Sequence, residues 1–285
     1  MMRISLIVCC WLMCAAFGEA PNWFGTKSDI QEMNLKGAVM SIQQRVYEAT
    51  TVDNSIKKRH LMLDPLENWD INFNKKGFIS EKKCYGADNE LIFFYEYKYK
   101  QKTQLHRKKM YDAKNYTIEE VLYAYNSLGQ LAAESIYRAD HSLLVRYIYN
   151  YSPKGLLIRT DVHAPTTDVY TSSRYEFDYN KESQLVERRT YNTKEQLHQT
   201  DYFTYDNYGH LKEHQTKNHL DNFLFTAHSR HDIDGNLMTY QAPAENTPST
   251  SYTYIFDEVG NWISKTHYKK GKVQTVIERK IEYLN

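Results

Sequence analysis

Two groups of residues in this chain have types and spacings that could do chemistry. The first is His231-Asp-Ile-Asp-Gly235-Asn, whose alternate oxygen-bearing side chains have the look of an opening calcium loop. A loop of the EF-hand type continues to a distal glutamate, and none follows at that spacing, so a turn is the better account of Asp232 and Gly235. The second is a crowd of histidines: His198, His210, His214, His219, His228 and His231. His210 and His214 would share a strand face, but about 13 Å apart along it, too far to hold one metal. There is no nucleophile elbow, no phosphate-cradling glycine loop and no His-Glu-x-x-His pair. Carboxylates could converge across a sheet for glycoside cleavage, but nothing marks a particular pair. The expectation is no catalytic residue, no cofactor and no metal.

What organises the chain is a recurring turn. Phe73-Asn-Lys-Lys-Gly77-Phe-Ile79, Tyr125-Asn-Ser-Leu-Gly129-Gln-Leu131 and Tyr151-Ser-Pro-Lys-Gly155-Leu-Leu157 share one pattern. Tyr205-Asp-Asn-Tyr-Gly209-His-Leu211, the segment from His231 through Gly235 to Leu237, and Phe256-Asp-Glu-Val-Gly260-Asn-Trp262 repeat it. Two degenerate copies start at Tyr99 and Tyr179, with Thr103 and Ser183 in place of glycine. The copies begin at 73, 99, 125, 151, 179, 205, 231 and 256, in steps of 26, 26, 26, 28, 26, 26 and 25. A weaker set of turns begins at Tyr85, Tyr111, Tyr137, Tyr191 and Tyr268, so each interval holds a strand, a turn, a strand and a turn.

The motif has a mechanism. An Asp or Asn opens the turn and caps it with its side chain, and the glycine takes a left-handed conformation. The residues flanking the turn, such as Tyr205 with Leu211 and Phe256 with Trp262, then face each other across the hairpin. The strands between turns alternate: Tyr95, Tyr97 and Tyr99 with Glu96, Lys98 and Lys100, and Tyr175, Phe177 and Tyr179 with Arg174, Glu176 and Asp178. Period two puts rings on one face and most charges on the other.

The fold expected is all-β: tandem antiparallel hairpins forming a curled meander, either barrel-like or an open spiral shell. The structural turn residues are Gly77, Gly129, Gly155, Gly209, Gly235 and Gly260. The phase breaks at His163–Ser172 and Gln241–Ser251, which read as longer loops. Residues 1–18 read as a signal peptide, with Arg3, an apolar stretch from Ile4 to Phe17 and an Ala16-Phe17-Gly18 cleavage pattern. Cys9, Cys10 and Cys14 lie within it; the residues before them are a weak match to a lipoprotein signal. Residues 19–72 would be a lead-in, with a strand over Leu35–Glu48 and an irregular segment over Thr50–Asn68, and 73–285 the repeat domain. Cys84 is then the one cysteine of the mature chain, so no internal disulfide stabilises it.

The Tyr/Phe-Asp/Asn-x-x-Gly-x-Leu pattern over residues 73 to 272 resembles the YD repeats of RHS and teneurin-type proteins. The segment from Phe256 to Thr266 looks especially like repeat-containing exported proteins of Gram-negative bacteria. The resemblance implies a spiralling β-sheet shell. In large members the shell encloses a C-terminal toxin; here the repeats run to Ile281-Glu-Tyr-Leu-Asn285, so the architecture is expected without the toxin.

Net charge is +1, with 36 basic and 35 acidic residues, which leaves no field of one sign to attract nucleic acid. The 25 tyrosines and 11 phenylalanines suit ligands that lie along rings. The function expected is an exported, non-enzymatic binding or scaffold module of the cell envelope or secreted space, for a glycan or an extended peptide or protein. Its oligomeric state is open, and no transmembrane helix is expected in the mature chain. The alternatives are a glycan-active enzyme with its site in the loops 163–172 and 241–251, and an outer-membrane β-barrel.

Overall fold

The computed structural model describes residues 27–100, 103–165, 172–241 and 249–284. The signal peptide expected over 1–18 lies outside the described residues. The chain divides into two units, a terminal one (24–130, 136–142 and 250–285) and a central one (131–135 and 143–249).

The terminal unit begins with a short helix, α1 (Asp29–Glu32), then β1 (Val39–Val52), β2 (Ser55–Leu61) and β3 (Asn68–Phe73). It continues through β4 (Ile79–Tyr85), β5 (Leu91–Lys100), β6 (Gln104–Asp112) and β7 (Thr117–Tyr125). The segment Thr50–Asn68, expected to be irregular, holds β2, which folds back on the end of β1 with Val52 opposite Ser55. Strand β8 (Leu131–Arg138) divides between the units. The central unit carries β9 (Leu143–Tyr151), β10 (Leu157–His163), β11 (Ser172–Tyr179) and β12 (Leu185–Asn192). It then adds β13 (Leu197–Tyr205), β14 (Leu211–Asn218), β15 (Phe223–His231) and β16 (Leu237–Gln241). Three strands return to the terminal unit: β17 (Thr250–Phe256), β18 (Trp262–Lys269) and β19 (Lys272–Tyr283).

The fold is all-β and antiparallel, with successive strands inside each unit pairing through hairpins, as β13 does with β14 and β17 with β18. In the terminal unit β1 pairs with β3 on one side and with β19 on the other, Gln44 facing both Trp69 and Arg279. This pairing of the first strand with the last forms a seam within the terminal unit. Side chains pin this seam: the Asn261 side chain bonds both the N–H and the carbonyl of Lys36, and donates to the Tyr283 hydroxyl at 2.7 Å.

The turns follow one design. Asp206 Oδ1 accepts the N–H groups of Tyr208 and His210, each at 2.9 Å. The Gly209 N–H closes on the Asp206 carbonyl at 3.1 Å, and the Asp206 N–H donates to the His210 carbonyl at 2.9 Å. The six turn glycines have φ between 79° and 92°. At Gly209 a Cβ would also lie 3.3 Å from the Gln184 side chain of the preceding copy, so successive turns rest on one another. The alternate turns reach the same left-handed conformation without glycine, at Asn89, Asn115, His141, Glu195 and Asp221. Each of these sits in a turn whose first residue, Gly86, Asp112, Arg138, Asn192 or Asn218, exchanges backbone hydrogen bonds across it.

The strands keep period two within each unit. In the central unit Phe177 faces Arg188, Arg188 faces Asp201 and Asp201 faces Thr216, while Glu176, Arg189 and Thr200 form the row on the other face. The first row is buried or nearly so, and the second carries ion pairs such as Arg189 with Glu187 at 2.6 Å. Among the described residues, no helix is long and apolar enough to cross a membrane.

Rings join one copy of the turn to the next. The hydroxyl of Tyr99 donates to the Ile79 carbonyl, Tyr125 to Leu105, Tyr151 to Leu131 and Tyr179 to Leu157, all at 2.8 Å, and Tyr205 donates to Leu185 at 2.6 Å. In every case a tyrosine in the last two positions of one strand reaches a residue in the first two positions of the strand that follows the previous turn of its set. Replacing Tyr179 with Phe removes one such donor and should cost about 1 kcal/mol, read as a lower urea midpoint in circular dichroism. Tyr208→Phe, at a turn position 69% exposed, should leave the midpoint unchanged.

Candidate functional site

The six turn glycines carry no reactive group; their part is to set the hairpins that aim other side chains. The histidines scatter. His214 is on the buried face of β14, His210 lies beside the Gly235 turn, and His228 pairs with Glu213 at 3.2 Å on the charged face. Rings of His210 and His231 approach to 5.5 Å. Among the described residues, no group of three His, Cys, Asp or Glu side chains could hold a metal ion. Cys84 is fully buried, and burial pushes its thiol up to about 11, so it is not a thiolate near neutral pH. The loops that would carry a glycan-active site fall largely on 166–171 and 242–248, outside the described residues.

Two charged clusters that the sequence pattern did not single out occupy the ring faces. In the central unit the cluster centres on Asp201 of β13, whose side chain is 1% exposed. Arg188 of β12 donates from Nε and Nη2 to Asp201 Oδ2 at 3.0 and 2.9 Å. Thr216 of β14 donates to Oδ1 at 2.7 Å, His214 Nε2 lies 3.0 Å from the same oxygen, and Gln199 Nε2 reaches both oxygens at 3.0 and 3.1 Å. Burial alone would push this carboxyl up. The bond from His214, the Arg188 charge and the bonds from Thr216 and Gln199 outweigh it and hold the group well below the ordinary range. His214 is itself fixed, stacked on Phe203 at 4.7 Å and edge-on to Phe225 at 5.0 Å. A carboxylate held so firmly ionised is a poor proton acceptor, so the cluster is a buried strut that locks β12, β13 and β14 in register.

The terminal unit makes a different arrangement. On its ring face, Arg279 of β19 lies over Trp262 of β18 with Cζ 3.4 Å from the ring centre, and 5.7 Å from the ring of Trp69 on β3. Among the described residues, its one hydrogen bond is from Nε to the neutral Gln44 Oε1 at 3.0 Å. Lys265 of β18 lies over Tyr252 and Tyr254 of β17 at 4.4 and 5.5 Å, and Lys82 of β4 lies over Trp69 at 5.5 Å. Burial and then the Arg279 charge pull Lys265 down to about 8, with Glu67 pulling the other way. Burial holds Arg279 below its ordinary range. Burial and then Asp64 raise Glu67, against the pull of Lys265. His267, stacked on Tyr252 at 5.1 Å, is held low by burial, Lys265 and Lys269.

The opposite face of the same strands uses carboxylates for the same purpose. Arg45 pairs with Asp70 at 2.7 Å, Lys83 with Glu81 at 3.0 Å and Lys280 with Glu282 at 3.2 Å. Among the described residues, no ion pair within 4.0 Å involves Lys82, Lys265 or Arg279. The signal in the sequence was faint: Lys265 stands opposite Tyr254 in the hairpin, at a position where the alternation calls for an apolar partner.

In sequence, the chain matches no protein-family model and no curated protein. Among solved structures it is similar to a porin-like protein from Bacteroides uniformis, at 14% identity over 87% of this chain and 99% of that one, with a TM-score of 0.45. It is also similar to a chain of the Photorhabdus luminescens Tc holotoxin pore, at 12% identity over 82% of this chain and 15% of that one, with a TM-score of 0.37. A chain of the TcdB2–TccC3 structure gives 13% identity over 81% of this chain and 15% of that one, with a TM-score of 0.36.

The Asp201 strut makes two testable statements. Asp201→Asn leaves Arg188 buried without its counter-charge and should cost about 3–5 kcal/mol in urea unfolding. Because the folded carboxyl lies below its unfolded value of 3.8, its stabilisation is complete above that value and drains away as pH falls toward the folded one. The wild-type protein should therefore lose stability more steeply below about pH 4 than Asp201→Asn does, measured as melting temperature against pH.

Proposed function

We propose that this chain is an exported, non-enzymatic module of the YD-repeat type that binds a glycan or an extended polypeptide at the cell envelope or outside the cell. The observation that carries the reading is the ring face of the terminal unit, where Trp262, Tyr252 and Tyr254 are half-buried and carry cations on their flat sides. Half-buried rings combined with charged groups suit saccharides and extended backbones, which offer flat apolar patches beside polar edges. The YD-type reading draws on the stacking of turns, Gly209 on Gln184 and Gly235 on His210, and on the tyrosine bonds that link successive copies. Export rests on the leader read over residues 1–18, and the even balance of charge speaks against nucleic acid as the partner.

The pairing of β1 with β19 favours a second reading, an outer-membrane barrel. Such a barrel needs an apolar band toward lipid. The faces turned away from the rings instead bear ion pairs, among them Arg174 with Glu176 at 3.1 Å in the central unit and Lys109 with Glu120 at 3.5 Å in the terminal one. Charges at that position in a bilayer cost about 2–4 kcal/mol each near the midplane. The binding-module reading is therefore preferred. It expects the mature chain to purify as a soluble protein without detergent and to retain saccharides on a glycan array or in a peptidoglycan pull-down. A chain that stays in the detergent fraction favours the barrel, and a soluble chain that retains neither saccharide nor peptide overturns the binding module.

A further inference from the structure

The cations on the ring face of the terminal unit stand where a ligand's charge is missing. Three facts converge there. Arg279 spends Nε on a neutral amide oxygen, and no acceptor among the described residues takes its Nη groups. Lys265 is a second cation close enough for Arg279 to oppose its protonation, an arrangement that costs stability without an anion between them. Trp69 has cations over it from two strands, Lys82 and Arg279, so the positive charge extends beyond one pair. The nearest acid, Glu67, attracts Lys265 through space but makes no ion pair with it within 4.0 Å, and burial favours the uncharged form of its carboxyl.

The strands do not lack acids, since the other face pairs Arg45, Lys83 and Lys280 with Asp70, Glu81 and Glu282. The ring face replaces those acids with Trp262, Trp69, Tyr252 and Tyr254. Rings support a cation from the side by their negative faces while leaving its N–H groups unused. A planar guanidinium flat on an indole, with its outer nitrogens free, is ready for a two-pronged bond to a carboxylate. Lys265 on the neighbouring strand supplies a second donor from the same side.

We propose that Arg279 and Lys265, backed by Trp262, Trp69 and Tyr254, bind the carboxylate of an acidic saccharide. This deepens the glycan reading and rests on it: the rings accept the sugar and the two cations select its charge.

The test is calorimetric titration of the full mature chain with trigalacturonate, with the methyl ester of the same trisaccharide, and with inorganic sulfate. The acid should bind about ten-fold or more tighter than the ester, because one charge-assisted hydrogen bond is worth that much. Arg279→Gln and Lys265→Gln should each weaken the acid by a similar factor and leave the ester unchanged. Lys280→Gln, a cation of the opposite face, should alter neither. Circular dichroism identifies any variant that fails to fold, and Lys265→Gln alone then decides, since Lys265 makes no hydrogen bond among the described residues that its loss would break. Equal binding of acid and ester, unchanged affinity in the folded variants, or binding of sulfate alone would each overturn the proposal. Neutral saccharides bound equally by wild type and variants would sink this inference while leaving the broader glycan reading in place; no saccharide of either kind bound would remove both.

Discussion

The bond on which the repeats depend is the one from a tyrosine hydroxyl to a carbonyl one copy back. A hairpin by itself fixes only its own two strands, and a long run of them could slip, because a shift of one residue exchanges the faces of every strand. The hydroxyls of Tyr99, Tyr125, Tyr151 and Tyr205 each reach a carbonyl 20 residues earlier. Tyr179 reaches one 22 residues earlier, and this is the interval in which the copies stand 28 rather than 26 apart. The separation lengthens by the same two residues as the repeat, and the bond survives. Where His231 replaces the tyrosine, Ser229 donates to Leu211 at 2.9 Å in its stead. The ring also needs this bond: burial pushes the hydroxyl of Tyr179 up to about 12, so it stays a protonated donor.

This explains what the sequence disclosed and what it withheld. Spacing within a hairpin is local, so Tyr205 opposite Leu211 and Phe256 opposite Trp262 could be read from turn chemistry alone, and the register has both pairs. The alternate turns were harder to see because their left-handed residues are Asn, His, Glu and Asp, which tolerate that conformation without announcing it as glycine does. Strand β2 was missed because Ser55–Leu61 is almost wholly exposed, so period two leaves no apolar trace. The Asp201 cluster joins neighbouring strands and went unread because its charges stand on the ring side, where the alternation calls for apolar residues. The seam and the Arg279 cluster were out of reach for a different reason. Gln44 and Arg279 are 235 positions apart, and Asn261 and Lys36 are 225 apart, so neither contact follows from local spacing.

The two clusters show how one sheet design yields opposite results when a charge falls on the ring side. Removing an ion from water is costly, and the cost is met only when every polar group finds a partner. Asp201 meets it completely, with donors from Arg188, Gln199, His214 and Thr216 on three strands. Nothing is left over for a ligand, and the result is rigidity. Arg279 meets it with the flat sides of two indoles and one amide oxygen, which support the charge without using its outer N–H groups. The difference is one of chemistry rather than of place, since each group lies on the ring-bearing row of its own strand. A carboxylate partner would have saturated the arginine as it does Arg45 on the other face. Aromatic neighbours hold it in position and keep it unsaturated, and an unsaturated, pre-positioned cation is what an anionic ligand meets at least cost in ordering.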